Sequence, residues 1–127
     1  MRKTVLIVED HPFMRSLLIQ LFIGKYNITC VDNAISALQW MDSNNTPNLI
    51  ISDLLMPEMD GFELLNSIRA SSFFQKVPII ILSGLNKSQN RMRCLKLGAD
   101  DFIPKPFNPD ELLFKVNKLI QSTYYEN

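Results

Sequence analysis

The chain alternates between two hydrophobic periods from one end to the other. Short, nearly continuous apolar runs stand at Val5–Val8, Ile28–Val31, Leu49–Ser52, Ile79–Leu82 and Phe102–Ile103. Runs of this length with little polar alternation predict strands buried on both faces. Between them the apolar residues recur at helical spacing. Met14, Leu17, Leu18 and Leu21 fall at i, i+3, i+4 and i+7, as do Ala34, Ala37, Leu38 and Met41. Phe62, Leu65 and Ile68 predict a third helix, and Met92, Leu95 and Ala99 a fourth. Leu112, Val116 and Leu119, with Leu113 and Ile120 beside them, predict a fifth.

Breakers separate the units at Gly24, Asn44-Asn45-Thr46-Pro47, Asp60-Gly61, Ser71-Ser72, Gly84 and Gly98. Pro12 and Pro109 sit where a first helical turn tolerates proline, with Asn108 as the N-cap of the last helix. Five β/α units in alternation imply a doubly wound α/β fold, a five-stranded parallel sheet with helices on both faces. The pattern carries no internal repeat and no linker, so residues 1–127 are expected to form a single domain. The tail 122–127 has no periodicity and is expected to fray.

Composition narrows the setting. At 127 residues the chain buries a core without staples, and 46% apolar with 20% charged residues is ordinary globular usage. Lysine plus arginine and aspartate plus glutamate number 13 each, so no long-range attraction to nucleic acid is implied. No apolar stretch is long enough to span a bilayer. The run after Met1-Arg2-Lys3 breaks at Glu9-Asp10, too early for a signal peptide, and a cytoplasmic location is expected. Cys30 and Cys94 fit no metal spacing and are expected to be unpaired thiols.

The candidate chemistry lies at the strand ends. Glu9 and Asp10 follow the first run, Asp53 the third, Ser83 and Gly84 the fourth, and Lys105 the fifth. Open parallel sheets bind ligands outside the carboxyl ends of their strands, so these residues are expected to converge. Close carboxylates repel unless a cation separates them, and oxygen ligands with room for water favour Mg²⁺. A carboxylate also serves as a nucleophile toward phosphorus, giving an aspartyl phosphate. Phosphoryl transfer relies on positioning and on neutralising the equatorial oxygens. Lys105 supplies positive charge for that, the Ser83 hydroxyl a hydrogen bond, and Gly84 a close backbone approach. Each residue also has a plainer use: Asp10 as an N-cap ahead of Pro12, Lys105 as a solvated lysine, His11 as a loop residue near the site. Trp40 and Phe73-Phe74 read as packing rather than a binding platform. Met56, Met59 and Met92 read as gap-filling or surface residues.

Four segments together carry a resemblance. Val8-Glu9-Asp10-His11-Pro12, Asp53-Leu54-Leu55-Met56-Pro57-Glu58-Met59-Asp60-Gly61, Ser83-Gly84 and Gly98-Ala99-Asp100-Asp101-Phe102-Ile103-Pro104-Lys105-Pro106-Phe107 stand in this order. The chain resembles a two-component response-regulator receiver domain of the chemotaxis-regulator kind over nearly its whole length. The resemblance implies the flavodoxin-like strand order 2-1-3-4-5. It implies Asp53 as phosphoacceptor and Mg²⁺ as cofactor, bound by Asp10, by Asp53, by Glu9 through water and by the Leu55 backbone carbonyl. Ser83 and Lys105 would contact the phosphoryl group, and Phe102 would be the switch aromatic that turns inward. A cis Lys105-Pro106 bond is implied as well.

The same resemblance implies a signalling switch that phosphorylates and dephosphorylates itself rather than a turnover enzyme. Its partners would be a sensor histidine kinase or phosphotransfer protein and a downstream effector or output domain. Readout would occur on the surface of the fourth helix, fifth strand and fifth helix. A homodimer through that face is a further implication, to which Asp101 and Lys115 would offer an ion pair. Direct binding to nucleic acid or membrane is not expected. Departures from the pattern are Glu9, where many members have aspartate, and Phe102, which lacks a tyrosine hydroxyl. Leu55 and Leu85 flank the expected path of a hydrolytic water and would slow phosphate loss. An aspartyl-phosphate phosphatase usually has an acid two residues after its nucleophile, where this chain has Leu55. A flavin carrier of the flavodoxin type would find its phosphate repelled by Glu9-Asp10. A phosphorylation-independent interaction module of the same fold is the remaining alternative.

Overall fold

A computed structural model describes residues 2–85 and 88–125, with side chains up to Ser122. Each apolar run is a strand and each helical stretch a helix. The order is β1 (Thr4–Val8), α1 (Pro12–Phe22), β2 (Asn27–Val31), α2 (Ala34–Asp42), β3 (Leu49–Asp53) and α3 (Gly61–Ala70). It continues with β4 (Ile79–Ser83), α4 (Ser88–Lys96), β5 (Asp101–Pro104) and α5 (Pro109–Tyr125). The strands form one sheet in the order β2-β1-β3-β4-β5, and every neighbouring pair is parallel.

Strand side chains alternate between the two faces, so each strand feeds two cores. Leu6, Val8, Ile50, Ile79 and Ile81 pack with α2, α3 and α4 through Ala37, Met41, Leu65, Ile68 and Cys94. Val5, Ile7, Leu49, Ile51, Ile80 and Leu82 pack with α1 and α5 through Leu18, Phe22, Leu112, Val116 and Ile120. Burying one such aliphatic side chain contributes about 1.5–3 kcal/mol, which explains the unbroken apolar runs of β1, β3 and β4. The edge strand β2, expected to be buried on both faces, instead alternates as Asn27-Ile28-Thr29-Cys30-Val31 and has no fully buried residue. Strand order reverses at β1 and β3, which places the crevice of a doubly wound sheet at their carboxyl ends.

The helix starts follow capping chemistry. His11, not Asp10, caps α1, its Nδ1 accepting the Met14 N–H at 3.4 Å, with Pro12 in the first turn. Asn33 Oδ1 accepts the Ser36 N–H at 2.7 Å, and Asn108 Oδ1 the Glu111 N–H at 3.1 Å. Asp60 and Glu63 form a capping box at α3.

Two faces differ from the periodic reading. In α1 the buried positions are Leu18 and Phe22, while Leu17 and Phe13 are exposed. In α4 only Cys94 is buried; Met92 is half exposed, and Ala99 lies beyond the helix. The helix stops because Gly98 takes φ +105, a conformation that side-chain-bearing residues rarely adopt. The backbone of α5 is helical through Tyr125, so the tail expected to fray at 122–127 overlaps that helix; residues 126 and 127 lie outside the described ones.

Arg69, at the end of α3, ties three segments together. Its Nε donates to Gly98 O at 2.9 Å, and its Nη1 to Gln75 O at 3.0 Å and Val77 O at 2.7 Å. Its Nη2 pairs with Asp100 Oδ2 at 3.0 Å, and the same oxygen accepts the Ile79 N–H at 2.8 Å. Partial burial pulls this guanidinium below its usual pKa, against the opposing influence of Asp100.

Candidate functional site

The site begins where β1 ends. The Glu9 N–H extends the ladder to Val31 O at 3.0 Å, which fixes the backbone as it leaves the sheet. The Glu9 side chain turns inward and is almost wholly buried. Its Oε1 accepts from Lys105 Nζ at 2.8 Å and its Oε2 from the His11 N–H at 3.2 Å. Asp10 is exposed, beside the amino end of α1, where the helix dipole favours a negative charge. At the end of β3, Asp53 Oδ1 accepts the Leu54 N–H at 2.7 Å, and Oδ2 lies 3.5 Å from Lys105 Nζ. Carboxylate oxygens of Glu9, Asp10 and Asp53 all lie within 4.8 Å of one another. The three predicted acids and the predicted ammonium therefore meet.

The fourth and fifth strands close the other side. Ser83 is buried, its Oγ accepts the Leu85 N–H at 3.0 Å, and its carbonyl accepts the Lys105 N–H at 2.8 Å. The hydroxyl therefore keeps its own proton for donation elsewhere. Lys105 follows β5 with a cis bond to Pro106, and its side chain is mostly buried. Phe102 points inward, 4% exposed, in the core shared with α2, α3 and α4. Leu55 is 59% exposed on the loop after Asp53, while Leu85 packs partly against the core.

Glycine matters at a different position from the one the motif suggests. A Cβ at Gly84 would meet nothing within 4 Å. A Cβ at Gly61 would stand 2.6 Å from Asp53 O and 2.9 Å from Leu54 Cα. The first residue of α3 thus packs directly under the Asp53 backbone, and its N–H donates to Leu54 O at 2.8 Å. In the same loop Glu58 adopts φ 70.

Arg15 is the site neighbour that the motif reading missed. Its guanidinium folds back from α1, donating from Nε to Glu9 O at 3.2 Å and from Nη2 to Asp10 O at 3.4 Å. The available signal was a cation in the second turn of a helix that starts directly after two acids. His11 serves as cap and as backbone donor to Glu9. Trp40 and Phe74 pack against the core as expected, but Phe73 is 85% exposed. Cys30 and Cys94 are both free thiols.

Lys105 and the Arg15 guanidinium together carry one charge fewer than the three carboxylates, so the cluster keeps excess negative charge toward solvent at Asp10. Hard oxygen donors from separate strands, one of them exposed, fit a hard divalent cation that retains water. The orientation of Glu9 toward Lys105 shows that the site already places a cation between its acids.

Comparisons with known proteins agree with this geometry. Residues 5–117 match the family described as the response regulator receiver domain. The two-component response regulator ORR3 of Oryza sativa is 34% identical over 117 residues, covering 91% of this chain and 89% of that protein. Histidine kinase P4 of Formosa agariphila is 35% identical over 121 residues, 95% of this chain but only 9% of that protein's length. The receiver domain of the sensor histidine kinase PA1611 from Pseudomonas aeruginosa superposes with a TM-score of 0.85 at 28% identity. That match covers 95% of this chain and 99% of that one, and the structure holds a magnesium ion in its active-site cleft. Among the described residues no helix is long and apolar enough to cross a membrane. With the family match spanning both cores and every strand end that builds the acidic site, this chain belongs to the response regulator receiver domain family.

Proposed function

We propose that Asp53 accepts a phosphoryl group in a Mg²⁺-dependent reaction and that the resulting charge switches the surface formed by α4, β5 and α5. The observation that carries this reading is the convergence of Glu9, Asp10 and Asp53 with Lys105 standing between two of them. A carboxylate oxygen of Asp53 forms the new bond to phosphorus. The bond from phosphorus to the donor's imidazole nitrogen, or to acetate in acetyl phosphate, breaks with its electron pair leaving on the donor. Asp10 and Asp53 would hold the ion directly, with Glu9 through water and the Leu55 carbonyl as a further ligand. Bound Mg²⁺ supplies charge neutralisation at the phosphoryl oxygens.

Lys105 supplies the second positive charge once its bond to Glu9 is exchanged for the phosphoryl group. Ser83 donates its hydroxyl proton to a phosphoryl oxygen, and Phe102, paired with Ile81 two residues before Ser83, reports the change from its inward site. Membership of the family implies a histidine kinase as partner, and the exposed Phe13 and Leu17 on α1 suit contact with its helices. A downstream effector or output domain would read the switched face. A homodimer there would have to compete with pairs made within one chain, Lys115 to Asp101 at 2.9 Å and to Glu111 at 3.4 Å.

Intact mass after incubation with Mg²⁺ and acetyl phosphate tests the proposal. One phosphoryl adduct is expected on the wild type, and none without Mg²⁺ or on Asp53→Ala. An adduct that survives Asp53→Ala would move the acceptor elsewhere. A wild type that takes no phosphate from acetyl phosphate or from a histidine kinase would favour a phosphorylation-independent interaction module.

A further inference from the structure

Asp10 is the exposed member of the acidic cluster, so its direction depends on how its backbone is held. We infer that Arg15 is the positioning residue of the metal site, acting through the Glu9 and Asp10 carbonyls; this rests on the Mg²⁺ reading above. The Glu9 N–H is committed to Val31 O at 3.0 Å, and the Glu9 carbonyl accepts from Arg15 Nε at 3.2 Å. The next carbonyl, of Asp10, accepts from Arg15 Nη2 at 3.4 Å. Two consecutive carbonyls on one planar guanidinium restrict the rotation of the peptide between them, and both carboxylates hang from its ends.

The Arg15 backbone is itself fixed, because its N–H makes a helical bond of α1 to His11 O at 2.9 Å. The strand end, the cap and the first turns of α1 thus form a closed loop of bonds around the two acids. A lysine cannot reproduce this arrangement, since a single ammonium does not present two donors in a rigid fork. Arginine placed here for charge alone would oppose a divalent cation, because like charges repel across the site. Positioning and charge therefore predict opposite signs when Arg15 is replaced, and the sign is measurable.

The experiment is a Mn²⁺ titration of the full chain, with free Mn²⁺ read by electron paramagnetic resonance, on wild type, Arg15→Met and Arg15→Lys. Melting temperature in EDTA is recorded for each. Positioning predicts affinity about tenfold weaker in both variants, equivalent to about 1.4 kcal/mol, with melting temperatures in EDTA close to wild type. Unchanged affinity in both variants would overturn the inference. So would tighter binding in Arg15→Met with wild-type affinity in Arg15→Lys, the signature of charge alone. Should Arg15→Met fail to fold, Arg15→Lys decides by the same criterion. A wild type that binds no Mn²⁺ would overturn the metal reading itself, a result distinct from variants that match a binding wild type.

Discussion

At the scale of single residues, the ion pair of Lys105 with Glu9 is the contact that the metal has to compete with. Glu9 is almost wholly buried, and Lys105 is its closest cation, at 2.8 Å. Removing one partner of a buried pair leaves an uncompensated charge, at a cost of about 3 kcal/mol. Lys105→Met should therefore lower the melting temperature in EDTA, and Mg²⁺ should recover part of the loss. The same variant should bind Mg²⁺ more tightly, because the competing ammonium is gone, while failing to form the phosphoryl adduct. Calorimetric titration and intact mass check the two halves. The thiols offer a second test. Burial pushes Cys94 up to about 11, so its thiolate is scarce at neutral pH, whereas Cys30 is only half buried and raised less. A thiol reagent at pH 7.5 should label Cys30 alone in the native protein and both cysteines after unfolding. The sign for stability follows from the raised value. The contribution of Cys94 is fully present below the ordinary thiol pKa of 9.0 and is lost as pH rises through about 11.

At the scale of elements, the Arg69 clamp predicts local rather than site-directed damage. Its donors reach Gly98, Gln75, Val77 and Asp100, joining the ends of α3 and α4 to the starts of β4 and β5. Arg69→Met strands those carbonyls and should cost about 3 kcal/mol. Hydrogen exchange should rise in the segments before β4 and β5, while Mg²⁺ affinity stays at the wild-type value. These segments lie at the amino ends of the strands, opposite the acids, which is why the two effects separate. The same clamp marks where periodicity stops informing. Strands buried on both faces were legible because burial leaves no polar alternation, and α2 and α5 because their apolar stripes are wide. The thin pattern of Met92, Leu95 and Ala99 misassigned the inward face of α4, whose one buried side chain is Cys94. A short helix held by Gly98 and by Arg93 stacked 3.8 Å over the Phe62 ring needs little apolar area of its own. Arg15 and Arg69 escaped for a related reason: apart from the Arg69 pair with Asp100, their side-chain bonds go to backbone carbonyls, and a carbonyl has no signature in sequence. Gly61 was legible as a breaker, but its role beneath Asp53 required coordinates.

At the scale of the whole molecule, the acids couple the cation to the stability of the entire sheet. Glu9 and Asp10 leave β1 and Asp53 ends β3, the two adjacent strands inside the sheet, so losing either strand loses the site. A cation that binds only the folded chain adds about 2.7 kcal/mol at one hundred times its dissociation constant. For a chain of this length that corresponds to a melting shift of about 10 °C. Without the cation the same acids work against the fold. Two carboxylates 4.8 Å apart or closer repel by about 3 kcal/mol at an effective dielectric constant of about 20. This exceeds the roughly 0.3–1 kcal/mol that Asp10 gains from the amino end of α1. Asp10→Asn should therefore melt a few degrees above the wild type in EDTA and several degrees below it in saturating Mg²⁺. Differential scanning calorimetry under the two conditions checks the crossing. A variant that melts below wild type in both would mean that Asp10 acts through the helix end rather than through the cluster. The crossing itself would show that the folded chain carries unfavourable charge at the mouth of its sheet, relieved when the cation binds.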